Sequence, residues 1–235
     1  MSQNRLEHYK TISTSAAKEL QQELSLQISL KDLEAQPKLI AGADISFNRG
    51  SDIMHAAIVV LKLPELKLVA RSLVSDRTEF PYIPGYLAFR ELPALLLAWQ
   101  QLEIKPDVLI LDGHGLAHPR KMGVATHFGI EINRPTIGCA KNILVGSHDP
   151  LHLEKGSFAP LFHKEEQLGI ALRSRTNVNP IFISPGHRVS YDDAYNIIMQ
   201  TLPKYKLPET TRMAHLWANK LRRGECEAGY FGIGE

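Results

Sequence analysis

Between residues 39 and 47 the chain alternates. Leu39, Ala41, Ala43, Ile45 and Phe47 fall on one face of an extended segment, and Ile40, Gly42, Asp44 and Ser46 on the other. This predicts a strand with one apolar face and one face of small or polar residues. Apolar runs at 55–64 (HAAIVVLKLP) and 67–76 (KLVARSLVSD) complete an expected antiparallel meander. Upstream, Leu20, Leu24 and Leu26 recur near helical spacing, which predicts a helix over 12–35, closed by Pro37. Downstream, a helix is expected over 86–101 with a kink or restart at Pro93. PDVLILDGHG (106–115) reads as a strand buried on both faces up to Asp112. PTIGCAK (135–141) and PIFISPGH (180–187) read as two more strands. Ser190 before Tyr191, Asp192 and Asp193 caps a helix running towards Leu202, and a last helix spans 210–223 with Gly224 as its stop. A meander followed by alternating helices and strands is an α/β arrangement, a mixed sheet flanked by helices.

Composition narrows the class. The 235 residues are 44% hydrophobic and 22% charged with net charge +2, which excludes a disordered tail. Two cysteines, Cys139 and Cys226, exclude a disulfide scaffold. The longest apolar stretch, Leu92 to Trp99, is far short of the ~20 residues of a membrane span. The N-terminus MSQNRLEHYK has no signal-peptide core, so a cytoplasmic protein is expected. No linker, repeat or low-complexity tract divides the chain, so a single domain over 1–235 is expected, and nothing demands a second copy. Two segments are locally basic: Arg120, Lys121, Arg134 and Lys141, then Arg212, Lys220, Arg222 and Arg223. They suit a polyanion, or two solvated faces.

Two carboxylates stand where carboxylates are costly: Asp44 in mid-strand and Asp112 at the end of a buried strand. If the strands are parallel neighbours the carboxylates converge, and a divalent cation relieves their repulsion; hard oxygen ligands select Mg²⁺ or Mn²⁺. Glu91, ahead of Pro93, is a candidate third ligand. In the last helix Met213, Leu216, Trp217 and Leu221 form an apolar stripe, and at ~100° per residue His215 falls opposite it, facing solvent or a site. PYIPGY (81–86) braces Tyr82 between prolines, so the ring either packs locally or stacks on bases. Gly113 and Gly115 around His114 permit close backbone approach to a ligand. A zinc site from Asp112, His114, His118 and His127 is a rival, weakened by the lack of an accompanying glutamate and of cysteine nearby. Lys141, ending its strand, is either solvated or a phosphate ligand.

GADISF, PYIPGYLAFRELP, LDGHGLAHPRKMGVATHFGI, PTIGCAKN and the helix with His215 together resemble the endonuclease V (deoxyinosine 3′ endonuclease) family, from about residue 10 to 225. The resemblance implies a ribonuclease H-like fold. It implies repair of deaminated purines: recognition of hypoxanthine in DNA, and in some members of inosine in RNA. It implies cleavage of the second phosphodiester 3′ to the lesion, leaving 3′-hydroxyl and 5′-phosphate ends. The family's metal-binding acids fall on Asp44, Glu91 and Asp112, with Mg²⁺ as the ion and Mn²⁺ as its substitute. Its catalytic histidine falls on His215 and its active-site lysine on Lys141. Its strand-separating wedge falls on Pro81, Tyr82, Ile83 and Pro84. The base pocket resembles Gly85, Leu87, Gly113, Gly123 and Leu144, with His118 near the entrance. Two other readings share the acids or the basic segments: another ribonuclease H-like nuclease acting on nucleic-acid structure or hybrids, and a nucleic-acid-binding module without catalysis.

Overall fold

A computed structural model describes residues 3–232; Met1, Ser2 and residues 233–235 lie outside the described residues. The alternation at 39–47 becomes β1 (Leu39–Ser46), paired antiparallel with β2 (Ile53–Lys62), which pairs with β3 (Lys67–Arg77). β4 (Val108–Leu111) lies parallel to β1, and β5 (Thr136–Ala140) parallel to β4. Four antiparallel strands extend the edges: β6 (Phe158–His163), β7 (Glu166–Leu172), β8 (Ile181–His187) and β9 (Gly229–Gly232). The sheet order is β6-β7-β8-β5-β4-β1-β2-β3-β9.

Helices cover both faces, and β1 divides between two cores as its period of two requires. Ala41 and Ala43 join a core with α1 (Gln3–Thr11), α2 (Thr14–Ser25), α3 (Leu87–Gln101) and α4 (Val124–Ile132). Ile40 joins the opposite core with α5 (Tyr191–Gln200) and α6 (Glu209–Arg222). No helix among the described residues is long and apolar enough to cross a membrane.

The small face of β1 has a specific use. α6 lies on it so closely that a Cβ added to Gly42 would sit 2.1 Å from the backbone carbonyl carbon of Thr210. The buried face of α6 is correspondingly small: Thr210, Thr211, Ala214 and Ala218, with Leu221 at the end. The stripe expected at Met213, Leu216, Trp217 and Leu221 is therefore corrected. Leu216 is exposed, and a close helix–strand approach selects small side chains over large ones.

Other expectations also change. The helix expected over 12–35 ends at Ser25, because its buried stripe is Ala17, Gln21 and Leu24, and Leu26 is exposed. α3 runs through Pro93 as one helix rather than restarting. Burial of Phe89, Leu92, Leu95 and Leu96, at ~2 kcal/mol each, exceeds the ~3 kcal/mol that an internal proline costs.

Candidate active site

The parallel register of β1 and β4 pairs Ala43 with Leu111, so Asp44 and Asp112 emerge side by side where the pairing of the two strands ends. Docking of α6 on Gly42 brings His215 over them. One oxygen of each carboxylate and a ring nitrogen of His215 lie within 4.8 Å of one another. His215 is one helical turn beyond the buried Thr211, so it flanks the packed face of α6 and reaches the site.

Asp44 is buried, and its carboxylate accepts the Nδ1 hydrogen of His215 at 2.7 Å. Burial raises the Asp44 pKa and the neighbouring Asp112 adds to this, while His215 opposes it. The hydrogen bond to Asp44 raises the His215 pKa against the effect of burial. The amide nitrogen of Asn219 lies 3.0 Å from His215 Nε2 and donates to the His215 carbonyl at 2.9 Å. Ser46 Oγ and Arg222 Nη2 donate to the Asn219 side-chain oxygen Oδ1. The sequence signal for this support is its spacing, four residues on from His215 along a helix.

Lys141 donates from Nζ to Asp112 at 2.5 Å, and that bond lifts its pKa although burial alone lowers it. Glu91 stands outside the compact group of three. Burial, then the charges of Asp44 and Asp112, push its pKa up to about 8. Arg90 gives little relief, because its guanidinium donates to the carbonyls of Phe80 and Ser51. Converging carboxylates with uncompensated repulsion, offering mainly oxygen donors, fit a hard divalent cation.

This arrangement has a pH signature. Glu91 moves from an ordinary 4.5 to about 8 on folding, so between those values the folded state holds more protons and stability falls as pH rises. The raised pKa values of Asp44 and His215 act in the same direction. In EDTA, Tm is expected to fall between about pH 5 and pH 8, and Glu91→Gln is expected to flatten the fall. Equal slopes in both proteins would remove Glu91 as the source.

The segment before α3 is anchored at both ends. Phe80 is buried and stacked on Phe89 at 5.4 Å, and Tyr86 N–H donates to the Ile83 carbonyl at 3.0 Å. Pro81 and Pro84 are exposed, Ile83 is partly buried, and Tyr82 projects with 64% of its surface in solvent. Gly85 follows at φ +80°, a backbone state that favours glycine. Its carbonyl accepts from Arg120 Nη2 at 2.7 Å, His118 Nε2 at 3.0 Å and Gln21 Nε2 at 3.2 Å.

His118 is buried rather than open at an entrance. Its Nδ1 accepts from the backbone N–H groups of Arg120 and Met122, so the ring proton is on Nε2. Burial and Arg120 lower its pKa to about 4. The gaps at Gly115 and Gly123 are filled by protein backbone, that of Pro185 and of His114 at 2.2 Å, and Gly113 faces Val124. A side chain at any of the three would disturb the packing of this loop. Leu87 opens α3 half-buried, and Leu144 is 45% exposed.

The rival zinc cluster does not form among the described residues. His127 is buried against Tyr9 and Phe89, His118 holds Gly85, and among the described residues the group able to share one ion is Asp44, Asp112 and His215. The basic segments are largely engaged within the protein: Lys121 with Glu166, Arg212 with Glu209, Arg223 with Glu225, and Arg222 with Ser46 and Asn48.

The sequence model of the endonuclease V family matches residues 22–216. The chain belongs to the endonuclease V family. It is 46% identical to an endonuclease V from Rippkaea orientalis, over 89% of this chain and 90% of that protein. The structure of an endonuclease V from Streptomyces avermitilis superposes with a TM-score of 0.87 at 36% identity, covering 92% of this chain and 96% of that one. An endonuclease V from Ciona intestinalis, in complex with a 24mer DNA containing an inosine followed by a ribo-adenosine, superposes at 0.79 with 27% identity, covering 90% and 98%. The fold is ribonuclease H-like.

Proposed function

We propose that this protein nicks nucleic acid beside a deaminated purine, hydrolysing the second phosphodiester 3′ to hypoxanthine and leaving 3′-hydroxyl and 5′-phosphate ends. The convergence of Asp44, Asp112 and His215 beside Lys141 carries this reading. The Ciona relative's complex with inosine-containing DNA supports the choice of lesion.

Asp44, Asp112 and Glu91 would hold Mg²⁺, with Mn²⁺ as a substitute. The ion supplies Lewis acidity toward the phosphate and the attacking water. Asp44 keeps the His215 proton on Nδ1, so Nε2 is the accepting nitrogen; the Asn219 amide occupies it here, and it would take a proton from the attacking water once that hydrogen bond gives way. Lys141 neutralises charge developing on the phosphate. The altered base leaves the stack, and Tyr82, braced by Pro81, Ile83 and Pro84, fills or pries open the gap.

Hypoxanthine carries a carbonyl where adenine carries an amine. The Gly85 carbonyl already accepts three hydrogen bonds, so its N–H and the backbone at Gly113 are the groups left to read that difference. Leu87, Gly123 and Leu144 complete the pocket, and His118 shapes it by holding Gly85. Guanine's extra amine is refused by shape and by an unpaired donor.

The test is cleavage of a duplex with one deoxyinosine, in Mg²⁺ or EDTA, beside an undamaged duplex and an inosine-containing RNA. A single Mg²⁺-dependent nick is expected, and the DNA/RNA rate ratio names the preferred substrate. Tyr82→Ala is expected to lower discrimination for the lesion by about tenfold, with a smaller loss in nonspecific binding. If the folded protein cuts neither inosine substrate, the structure-specific nuclease or non-catalytic module takes its place.

A further inference from the structure

The buried stripe of α2 is Ala17, Gln21 and Leu24, so one of its members is polar. Gln21 is fully buried. An amide in that setting is costly unless its atoms find partners, and a leucine would fill the space without that cost. The partners of Gln21 all belong to the loops around the proposed base site. Its Nε2 donates to the Gly85 carbonyl at 3.2 Å and lies 3.5 Å from the Met122 carbonyl. Its Oε1 accepts from Arg120 Nε at 2.6 Å. A guanidinium only donates and a carbonyl only accepts, so the amide has one orientation.

Three side chains thus converge on one atom. Arg120 Nη2 and His118 Nε2 reach the Gly85 carbonyl from the 113–123 loop, and Gln21 reaches it from α2. The Arg120 guanidinium is itself held, bonded to Gln21 and 4.4 Å from the Tyr86 ring centre. Gly85 is third in a turn closed by Tyr86 N–H to the Ile83 carbonyl, and its φ of +80° calls for glycine there. Glycine leaves the peptide that follows it free to rotate. The direction of the Gly85 carbonyl is therefore set by these donors. That direction matters to a base. Guanine differs from hypoxanthine by one exocyclic amine, and adenine carries an amine where hypoxanthine has its carbonyl. An unheld acceptor at the base site would satisfy either amine, whereas a held one is withdrawn from both.

We propose that Gln21 is a positioning residue for lesion recognition: with Arg120 it holds the Gly85 carbonyl within the protein and so closes it to the amines of adenine and guanine. The assignment rests on the nuclease reading above. It gives α2 a part in specificity, exerted through Gly85.

The test compares Gln21→Leu, Gln21→Glu and Arg120→Lys with the unaltered protein on two duplexes, one with hypoxanthine and one with guanine at the same position opposite cytosine. Gln21→Leu removes donor and acceptor together. Gln21→Glu keeps the acceptor for Arg120 but sets an anionic oxygen against the Gly85 carbonyl. Arg120→Lys acts from the other side, because one ammonium cannot repeat the bonds of two guanidinium nitrogens. Each variant is expected to raise KM on the hypoxanthine duplex about tenfold with kcat within about twofold, since a loop in place only a tenth of the time lowers apparent affinity by that factor. The ratio of kcat/KM on hypoxanthine to that on guanine is expected to fall by more than about tenfold, as guanine is no longer refused. Gln21 and Arg120 act on one carbonyl, so the Gln21→Leu, Arg120→Lys double variant is expected to show a KM near that of either single one. A lower Tm with KM and the ratio unchanged overturns the assignment and leaves the nuclease reading intact. So does a fall in kcat with KM held. If neither Gln21 variant folds, Arg120→Lys decides by the same ratio. Failure of the unaltered protein to cut the hypoxanthine duplex overturns both readings.

Discussion

Asparagine in place of Asp44 is expected to lower nicking by about 10³-fold or more, with the fold retained. The substitution is close to isosteric at a buried position, and the amide oxygen still accepts the Nδ1 hydrogen of His215. What disappears is the negative charge. A divalent ion contributes several kcal/mol of transition-state stabilisation, and about 4 kcal/mol corresponds to about 10³ in rate. Asp112→Asn is expected to do the same and also removes the anion that holds Lys141. Since the two act as one unit, the double variant is expected to lose little more than either single one. The measurement is kcat in Mg²⁺ alongside a thermal melt. A rate within about tenfold of the unaltered protein, at unchanged Tm, would remove the metal assignment.

The second large effect is remote from the chemistry. Gly42→Ala is expected to destabilise the protein by about 3 kcal/mol and lower Tm by roughly 6 to 12 °C. Alanine is ordinarily no worse than glycine in a strand. Here its methyl would meet Thr210 backbone at 2.1 Å, and backbone cannot move aside as a flexible side chain can. α6 must shift, and His215 shifts with it. kcat is therefore expected to fall further than the stability loss explains at temperatures where the variant stays folded. An unchanged Tm would show that the contact is easily relaxed.

The elements legible in the sequence are those whose pattern has one physical cause. β1 through β3 read correctly because alternation and long apolar runs report burial directly. Asp44 and Asp112 stood out because an acid in a strand needs a partner. The stretch from 142 to 179 gave no such signal. β6 contains Pro160, which an edge strand tolerates, and β7 contains Gly169, so neither reads as a strand by propensity. α4 holds Thr126 and Gly129 among its nine residues, a weak helix by composition that tertiary packing sustains. The buried face of α6 is not legible from apolar bulk, because the strand beneath it at Gly42 admits only small side chains. Gln21 is illegible for a related reason. It is a polar residue in a buried helical stripe, recognisable only once Arg120 and the Gly85 carbonyl are seen to meet it.

The seating of α6 on Gly42 also sets an order of assembly. Asp44 and the His215 that bonds to it are separated by 171 residues, and the acids and Lys141 all precede the helix that carries His215. During synthesis every strand but β9 and both carboxylates are made before the histidine. A nascent chain can thus gather its acids while lacking the residue that completes them. The three-residue cluster closes when a helix with a face of threonine and alanine seats on Gly42.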